Sequence, residues 1–244
     1  PITITTQPVA QVACELRSAT FTLATSTSIT SYQWQLSIDN GVSWTNIINN
    51  ATYSGATTIA LTVNNVSPTM SGYKYRVSLN RAGNTCGLFS TDAVLTTYAL
   101  PVISSPISLI QCDDDTDGIA TFNLTAKNNF ISVNSAVETF TYFTSFTGAN
   151  TNDSTLLIST PLAYTTANTS VWIRVENVNG CFSIAQLNLI VSVTQLPNSY
   201  VIPNKYKCDD YIDAVNNEYD RIASFDFTSI YNDIQAFLPP PTAN

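Results

Sequence analysis

The sequence predicts an all-β chain built from tandem β-sandwich modules, the third of them incomplete. Three observations carry that expectation. Charged residues are only 11% of the 244, against about 25% in an average soluble domain, while apolar residues stand at 44%. The gap is filled by 34 Thr, 25 Ser and 24 Asn, and threonine with 12 Tyr and 11 Phe is what pleated, half-buried strands favour. Apolar and polar residues alternate in short runs separated by turn residues, and a stretch of the second half repeats itself.

The first module covers residues 1–99. Its alternating runs are Ala19 to Ala24, Tyr32 to Ser37, Ile59 to Val63, Tyr73 to Leu79 and Ala93 to Tyr98. Between the second and third, Asn40-Gly41 supplies the pair that tolerates positive φ in a tight hairpin. About seven or eight short strands in roughly 100 residues is the pattern of an immunoglobulin-like sandwich. Tyr32, Trp34 and Leu36 then share a strand face with Trp34 in the inter-sheet core, and Tyr73, Tyr75, Val77 and Leu79 line a later strand. Trp44 follows the hairpin turn near a sheet edge. In the second module, residues 100–195, Phe140 to Phe143, Val171 to Val175 and Leu187 to Val193 read as strands, and Thr125 to Ser132 as a short helix capped by Thr125.

The repeat sets the boundaries. Leu100-Pro101, ten residues, then Cys112-Asp113-Asp114 recurs as Leu196-Pro197, ten residues, then Cys208-Asp209-Asp210, an offset of 96. After an insertion of seven residues, Asp117 to Thr125 aligns with Asp220 to Thr228, and eight of twelve compared positions are identical. Residues 196–244 are therefore the start of a further copy of the second module. The modules are expected end to end, with Leu-Pro disfavouring helix at each junction. The last segment is expected to be the least stable, because its apolar residues Ile222, Phe225 and Phe227 lack the remainder of a sandwich.

Composition excludes several classes of function. There is no histidine, which removes Ser-His-Asp and Cys-His nucleophiles, His-ligated zinc, proximal-His haem and any His base. Nine basic against 17 acidic residues give a net charge of −8, which argues against nucleic-acid partners or anionic membranes held by a basic patch. No run approaches the ~18 apolar residues of a spanning helix, so membrane insertion is not expected. The start at Pro1 suggests a piece cut from something longer. No catalytic constellation emerges, and the chain is read as not an enzyme, although residue type alone leaves carboxylate-only glycoside chemistry open.

Five cysteines with no CxxC point to disulfides. Cys14 and Cys86 lie 72 apart inside the first module, Cys112 and Cys181 lie 69 apart inside the second, and those pairings are the expected ones. Cys208 is left over, its partner falling C-terminal to Asn244 by the repeat arithmetic. Asp113, Asp115 and Asp117 before Gly118 spell the first half of a calcium loop. The bidentate acid is missing, since its place is held by Leu124, so a weak calcium site completed from elsewhere and an ion-free Asx-rich turn both stand.

The combination of Tyr32-Gln33-Trp34-Gln35, Asp39-Asn40-Gly41, Ser43-Trp44, Tyr53-Ser54-Gly55-Ala56 and Met70 to Arg76 resembles the immunoglobulin-like repeats of large exported proteins of Bacteroidota. Cys112 to Gly118, Phe122-Asn123-Leu124, Ile173 to Glu176 and Gly180-Cys181 are similar to repeat modules of type IX secretion cargo, gliding-motility adhesins included. The resemblance implies an extracellular, cell-surface location, a sorting domain beyond Asn244, and the role of an adhesive stalk. Its partners would be other proteins or surface polysaccharide, with the secretion or gliding machinery as a further contact. The alternative is a carbohydrate-binding module using exposed aromatics. Burial of Trp34, Trp44 and Trp172 discriminates the two.

Overall fold

The computed structural model describes residues 3–26, 31–80, 88–113, 117–193, 201–206 and 225–237. The expectations for Cys86, Asp115 and Cys208 fall outside these residues.

The first module is a two-sheet sandwich. Its strands are β1 (Ile4–Thr6), β2 (Gln11–Cys14), β3 (Ala19–Thr22), β4 (Ala24–Thr25), β5 (Ser31–Ser37), β6 (Thr45–Asn46), β7 (Tyr53–Ser54), β8 (Ala60–Val63), β9 (Lys74–Asn80), β10 (Leu88–Phe89) and β11 (Ala93–Tyr98). One sheet runs β2-β11-β9-β5-β6 with β10 on β9, the other β3-β8-β7, and β1 pairs with β4. Period-2 alternation decides the faces: Tyr75, Val77 and Leu79 on β9 are fully buried, as is Trp34 opposite Val77 on β5. Phe21 from the facing sheet meets Tyr75 at 4.7 Å and Trp34 at 6.4 Å between ring centres, and the Trp34 indole N–H donates to the Thr58 carbonyl at 2.9 Å. The threonine excess goes to the outer faces, where Thr20 pairs across strands with Thr62 at 3.1 Å.

Turns are closed by polar side chains rather than by length alone. Asn40 and Gly41 do take positive φ, 61° and 96°, but the connection from β5 to β6 spans Ile38 to Trp44 and is no two-residue hairpin. Asp39 organises it, accepting from the Ser43 amide at 2.9 Å and from the Ser37 and Ser43 hydroxyls, and those bonds, Ser43 first, hold its carboxyl well below the usual carboxylate range. At Gly55, φ is +80° and a Cβ would stand 2.0 Å from the Ala60 carbonyl oxygen, so only glycine fits.

The second module adds β12 (Ile107–Asp113), β13 (Ala120–Phe122), β14 (Thr139–Phe143), β15 (Tyr164–Thr166), β16 (Thr169–Glu176) and β17 (Phe182–Val193). Its sheets are β12-β17-β16-β14 and β13-β15. The expected helix near residue 125 exists as a 3-10 turn at Leu124–Lys127 running into α1 (Asn128–Ile131). Its cap is Asn123, not Thr125, because Asn123 Oδ1 accepts both the Thr125 amide and hydroxyl. A second helix, α2 (Phe146–Thr151), is capped by Ser145. The last described segment holds α3 (Thr228–Phe237), where Asp226 accepts from the Thr228 amide and hydroxyl just as Asn123 does from Thr125, at the position the repeat aligns with it.

Contacts divide the chain into one unit of residues 1–103, 132–140 and 174–184 and another of 104–131, 141–173 and 185–244. The end of β16, the turn after it and the start of β17 thus belong with the first unit, although they lie in the second half of the sequence.

In the second unit, burial pushes the Tyr142 hydroxyl up to about 12, and the neutral hydroxyl donates to Asn128 Oδ1 at 2.6 Å. A folded-state value above the ordinary ~10 contributes stability that is complete below pH 10 and is lost as pH rises towards 12. Denaturant melts across that window are expected to show a fall that Tyr142→Phe reduces; equal falls in both proteins would contradict it.

Candidate functional site

The described residues contain one disulfide, and it is not either expected bond. Cys14 joins Cys181, with an S–S distance of 2.01 Å and a Cα–Cα distance of 5.5 Å across 167 residues of sequence. The pairing of Cys112 with Cys181 is thereby overturned, and so is Cys14 with Cys86. Cys112 is an exposed, free thiol. Both bonded cysteines belong to the first unit.

Each half of the bond is placed by local structure. Strand β2 runs parallel to β11, which sets Cys14 beside Tyr98 at the end of the first module's last strand. The chain then turns through Leu16 at φ 63°, an uncommon conformation for a γ-branched residue, held by the Leu16 amide on the Val66 carbonyl at 2.9 Å. On the other side, Asn177 builds the turn between β16 and β17. Its Oδ1 accepts the amides of Asn179 and Cys181 at 3.0 and 3.1 Å, and Gly180 takes φ +77°. Cys181 is fully buried.

Around the sulfurs, the same hairpin grips the segment that follows β11. Asn177 Nδ2 donates to the Ala99 carbonyl at 3.0 Å, Ser183 Oγ donates to the Pro101 carbonyl at 2.8 Å, and the Leu100 amide donates to Glu15 Oε2 at 3.2 Å. The Phe182 ring has the Arg174 guanidinium at 3.4 Å and that of Arg17 at 5.3 Å, cation–π contacts worth roughly 0.5–1 kcal/mol each at exposed sites. A shallow groove of about 340 Å³ runs beside Leu100, Pro101, Val137 and Val178. Chemically this is a covalent and polar staple.

Two of the aspartates hold backbone amides. Asp113 is buried and its Oδ2 accepts the Gly118 amide at 2.9 Å, while Asp117 Oδ1 accepts the Ile119 amide at 2.7 Å, with Gly118 at φ +80°. Backbone donors therefore offset part of the charge. Among the described residues no group of three or more His, Cys, Asp or Glu side chains gathers to hold a metal. Melting midpoints in millimolar calcium and in chelator test the two readings: agreement favours the ion-free turn, and a rise of several degrees with calcium favours the ion site at Asp113, Asp115 and Asp117.

Of the tryptophans, Trp34 is wholly inside. Trp44 is half-buried under the Arg76 guanidinium, which lies 4.2 Å from both the Trp44 and Phe89 ring centres, and half-buried Trp172 takes Phe146 edge-on at 5.3 Å. The residues that sequence reasoning passed over are Asn177, Phe182 and Arg17. Of these, only Asn177-Val178-Asn179-Gly180 carries a turn signal.

Residues 108–197 match the family described as Flavobacterium inter-domain disulphide bond domain. No curated protein matches. Among solved structures, the I-band fragment I67-I69 of titin is 13% identical, covering 79% of this chain and 66% of that fragment with a TM-score of 0.36. The N-terminal Ig1-2 module of the Drosophila receptor protein tyrosine phosphatase DLAR is 15% identical, covering 79% of this chain and all of that one, with a TM-score of 0.33.

Proposed function

We propose that this chain is a structural segment of an exported cell-surface adhesin, in which immunoglobulin-like modules joined by disulfides form a load-bearing stalk. The observation that carries the reading is the Cys14–Cys181 bond. It ties β2 to the hairpin between β16 and β17 across 167 residues of sequence, among the hydrogen bonds of Asn177 and Ser183 to the Ala99 and Pro101 carbonyls. A disulfide in that position suits an oxidising, extracellular compartment, and no helix of the described residues is long and apolar enough to cross a membrane. The match of residues 108–197 to a Flavobacterium disulfide-domain family supports a bacterial exported protein. Partners are then other surface proteins or surface polysaccharide, and the secretion or gliding machinery.

The carbohydrate-binding alternative draws no support from Trp34, which is wholly inside, while Trp44 and Trp172 are half-buried against Arg76 and Phe146.

A stalk of this kind makes a mechanical prediction. Pulled from its ends under oxidising conditions, the chain cannot extend the residues between Cys14 and Cys181. Reduction is expected to release about 550–600 Å of additional contour, at 3.3–3.6 Å per residue. Antibody to residues 1–195 is expected to label intact producing cells. Equal contour lengths with and without reductant, or label confined to lysed cells, would contradict the proposal.

A further inference from the structure

The shallow groove of the first unit holds a carboxylate with one oxygen that nothing pairs. Three segments of that unit build it: the linker Ala99 to Val102, the stretch Asn134 to Glu138 that leads into β14, and Asn177-Val178 in the turn after β16. Its rim is aliphatic. Val102, Val137 and Val178 are 77%, 70% and 84% exposed around the same opening as Leu100 and Pro101, and an exposed apolar cluster of this kind marks an interaction site. Glu138 Oε2 is shut off from solvent and has no hydrogen-bond partner among the described residues. The neighbouring polar groups are already in use: Asn177 spends both ends of its side chain on the amides of Asn179 and Cys181 and on the Ala99 carbonyl, and the Pro101 carbonyl takes the Ser183 hydroxyl. An ionised carboxylate only accepts, so what Glu138 lacks is a cation or a donor, and leaving it unpaired is costly. The described basic side chains of the unit are committed elsewhere, Arg174 to Glu176, Arg17 to the Phe182 ring, Lys74 to Asp92 and Arg76 to the rings of Trp44 and Phe89.

Resting on the stalk reading for the class of partner, we propose that this groove receives a lysine side chain of a neighbouring surface protein, its stem lying on the three valines and its ammonium meeting the Glu138 carboxylate. The charge of a carboxylate is shared by its two oxygens, so an ammonium on the groove side offsets what Oε2 cannot pair. Charge complementarity selects this occupant. The chain carries a net charge of −8 and the groove is lined by Glu138 and by no basic residue, so an acidic side chain is repelled and a purely apolar one leaves the carboxylate as it was. Lysine combines an aliphatic stem that covers apolar surface with a compact charged head. One unpaired oxygen suits that point charge better than the two-toothed fork of arginine, which seeks both oxygens at once. The volume of about 340 Å³ lies at the small end of the ~300–1,000 Å³ of ligand clefts, room for one long side chain.

The test titrates Nα-acetyl-lysine methylamide into the oxidised 244-residue chain and reads backbone amide chemical shifts, with the norleucine analogue, which keeps the stem and lacks the charge, as its comparison. Saturable shifts in the millimolar range are expected around Val102, Val137, Glu138 and Val178, with the norleucine probe weaker by about tenfold, the worth of a charge-assisted hydrogen bond. Glu138→Gln keeps the shape of the side chain and is expected to bring the lysine probe down to the norleucine level. Val178→Ser, at an exposed position, is expected to weaken both probes by about threefold. Should the glutamine variant lose its dispersed spectrum, the norleucine comparison and Val178→Ser decide alone. Equal affinities for the two probes in the wild type, a lysine affinity unchanged in a folded Glu138→Gln, or shifts that fail to saturate or lie outside the groove would overturn the inference. Each of these results leaves the stalk reading standing, since that reading is decided by the contour released on reduction and by the labelling of intact cells.

Discussion

Replacing Cys14 and Cys181 together by serine is expected to produce a large loss of stability. The bond closes a loop of 167 residues, and the chain-entropy model puts the destabilisation at about 5 kcal/mol, the upper end of what disulfides deliver. At the sensitivity of a chain this size, the melting midpoint falls by about 10 °C or more. The loss is expected to be cooperative with the hairpin contacts, because Asn177 and Ser183 hold the Ala99 and Pro101 carbonyls only while the turn is tethered. The sandwich core of the first module contains neither sulfur, so the double variant keeps its β-sheet circular dichroism. Reductant applied to the wild type reproduces the shift. A midpoint within about one degree of the wild type would mean that the bond constrains nothing in the unfolded chain.

Trp34→Ala is expected to cost the first module about 3–5 kcal/mol, the range for truncating a fully buried aromatic side chain. Trp34 stands between the sheets, with Phe21 at 6.4 Å, and its removal opens a cavity beside Phe21 and Val77, which are already fixed by strand register. Its indole N–H also satisfies the Thr58 carbonyl. Trp34→Phe therefore loses that bond and part of the volume, for a cost of about 1–3 kcal/mol. Denaturant unfolding of the two variants checks the order. A Trp34→Ala loss below about 1 kcal/mol would place the ring outside the core and reopen a sugar-stacking role for it.

Strand faces were legible because period-2 alternation has one reading wherever one face is buried, and β5, β8, β9 and β11 carry it in side chains as large as Trp34, Leu61, Tyr75 and Leu95. Turn chemistry was half legible. Asn40-Gly41 announces positive φ, but the loop length is set by Asp39 gathering Ser37 and Ser43, which no dipeptide rule contains. The helix cap shifted from Thr125 to Asn123 because an amide oxygen two residues earlier reaches both Thr125 donors. The disulfide was misread for a different reason. The similar spacings of 72 and 69 read the same whether bonds close within a module or reach to the next. What decides is the parallel strand β2, which carries Cys14 to the far end of β11, next to the linker, and that pairing has no signature in residue order.

The most direct measurement is a tryptic map of the unreduced 244-residue chain. The account predicts one linked species joining Pro1–Arg17, which holds Cys14, to Val175–Lys205, which holds Cys181. A species joining Pro1–Arg17 to Ala82–Lys127, the peptide of Cys86 and Cys112, in place of that one would contradict it.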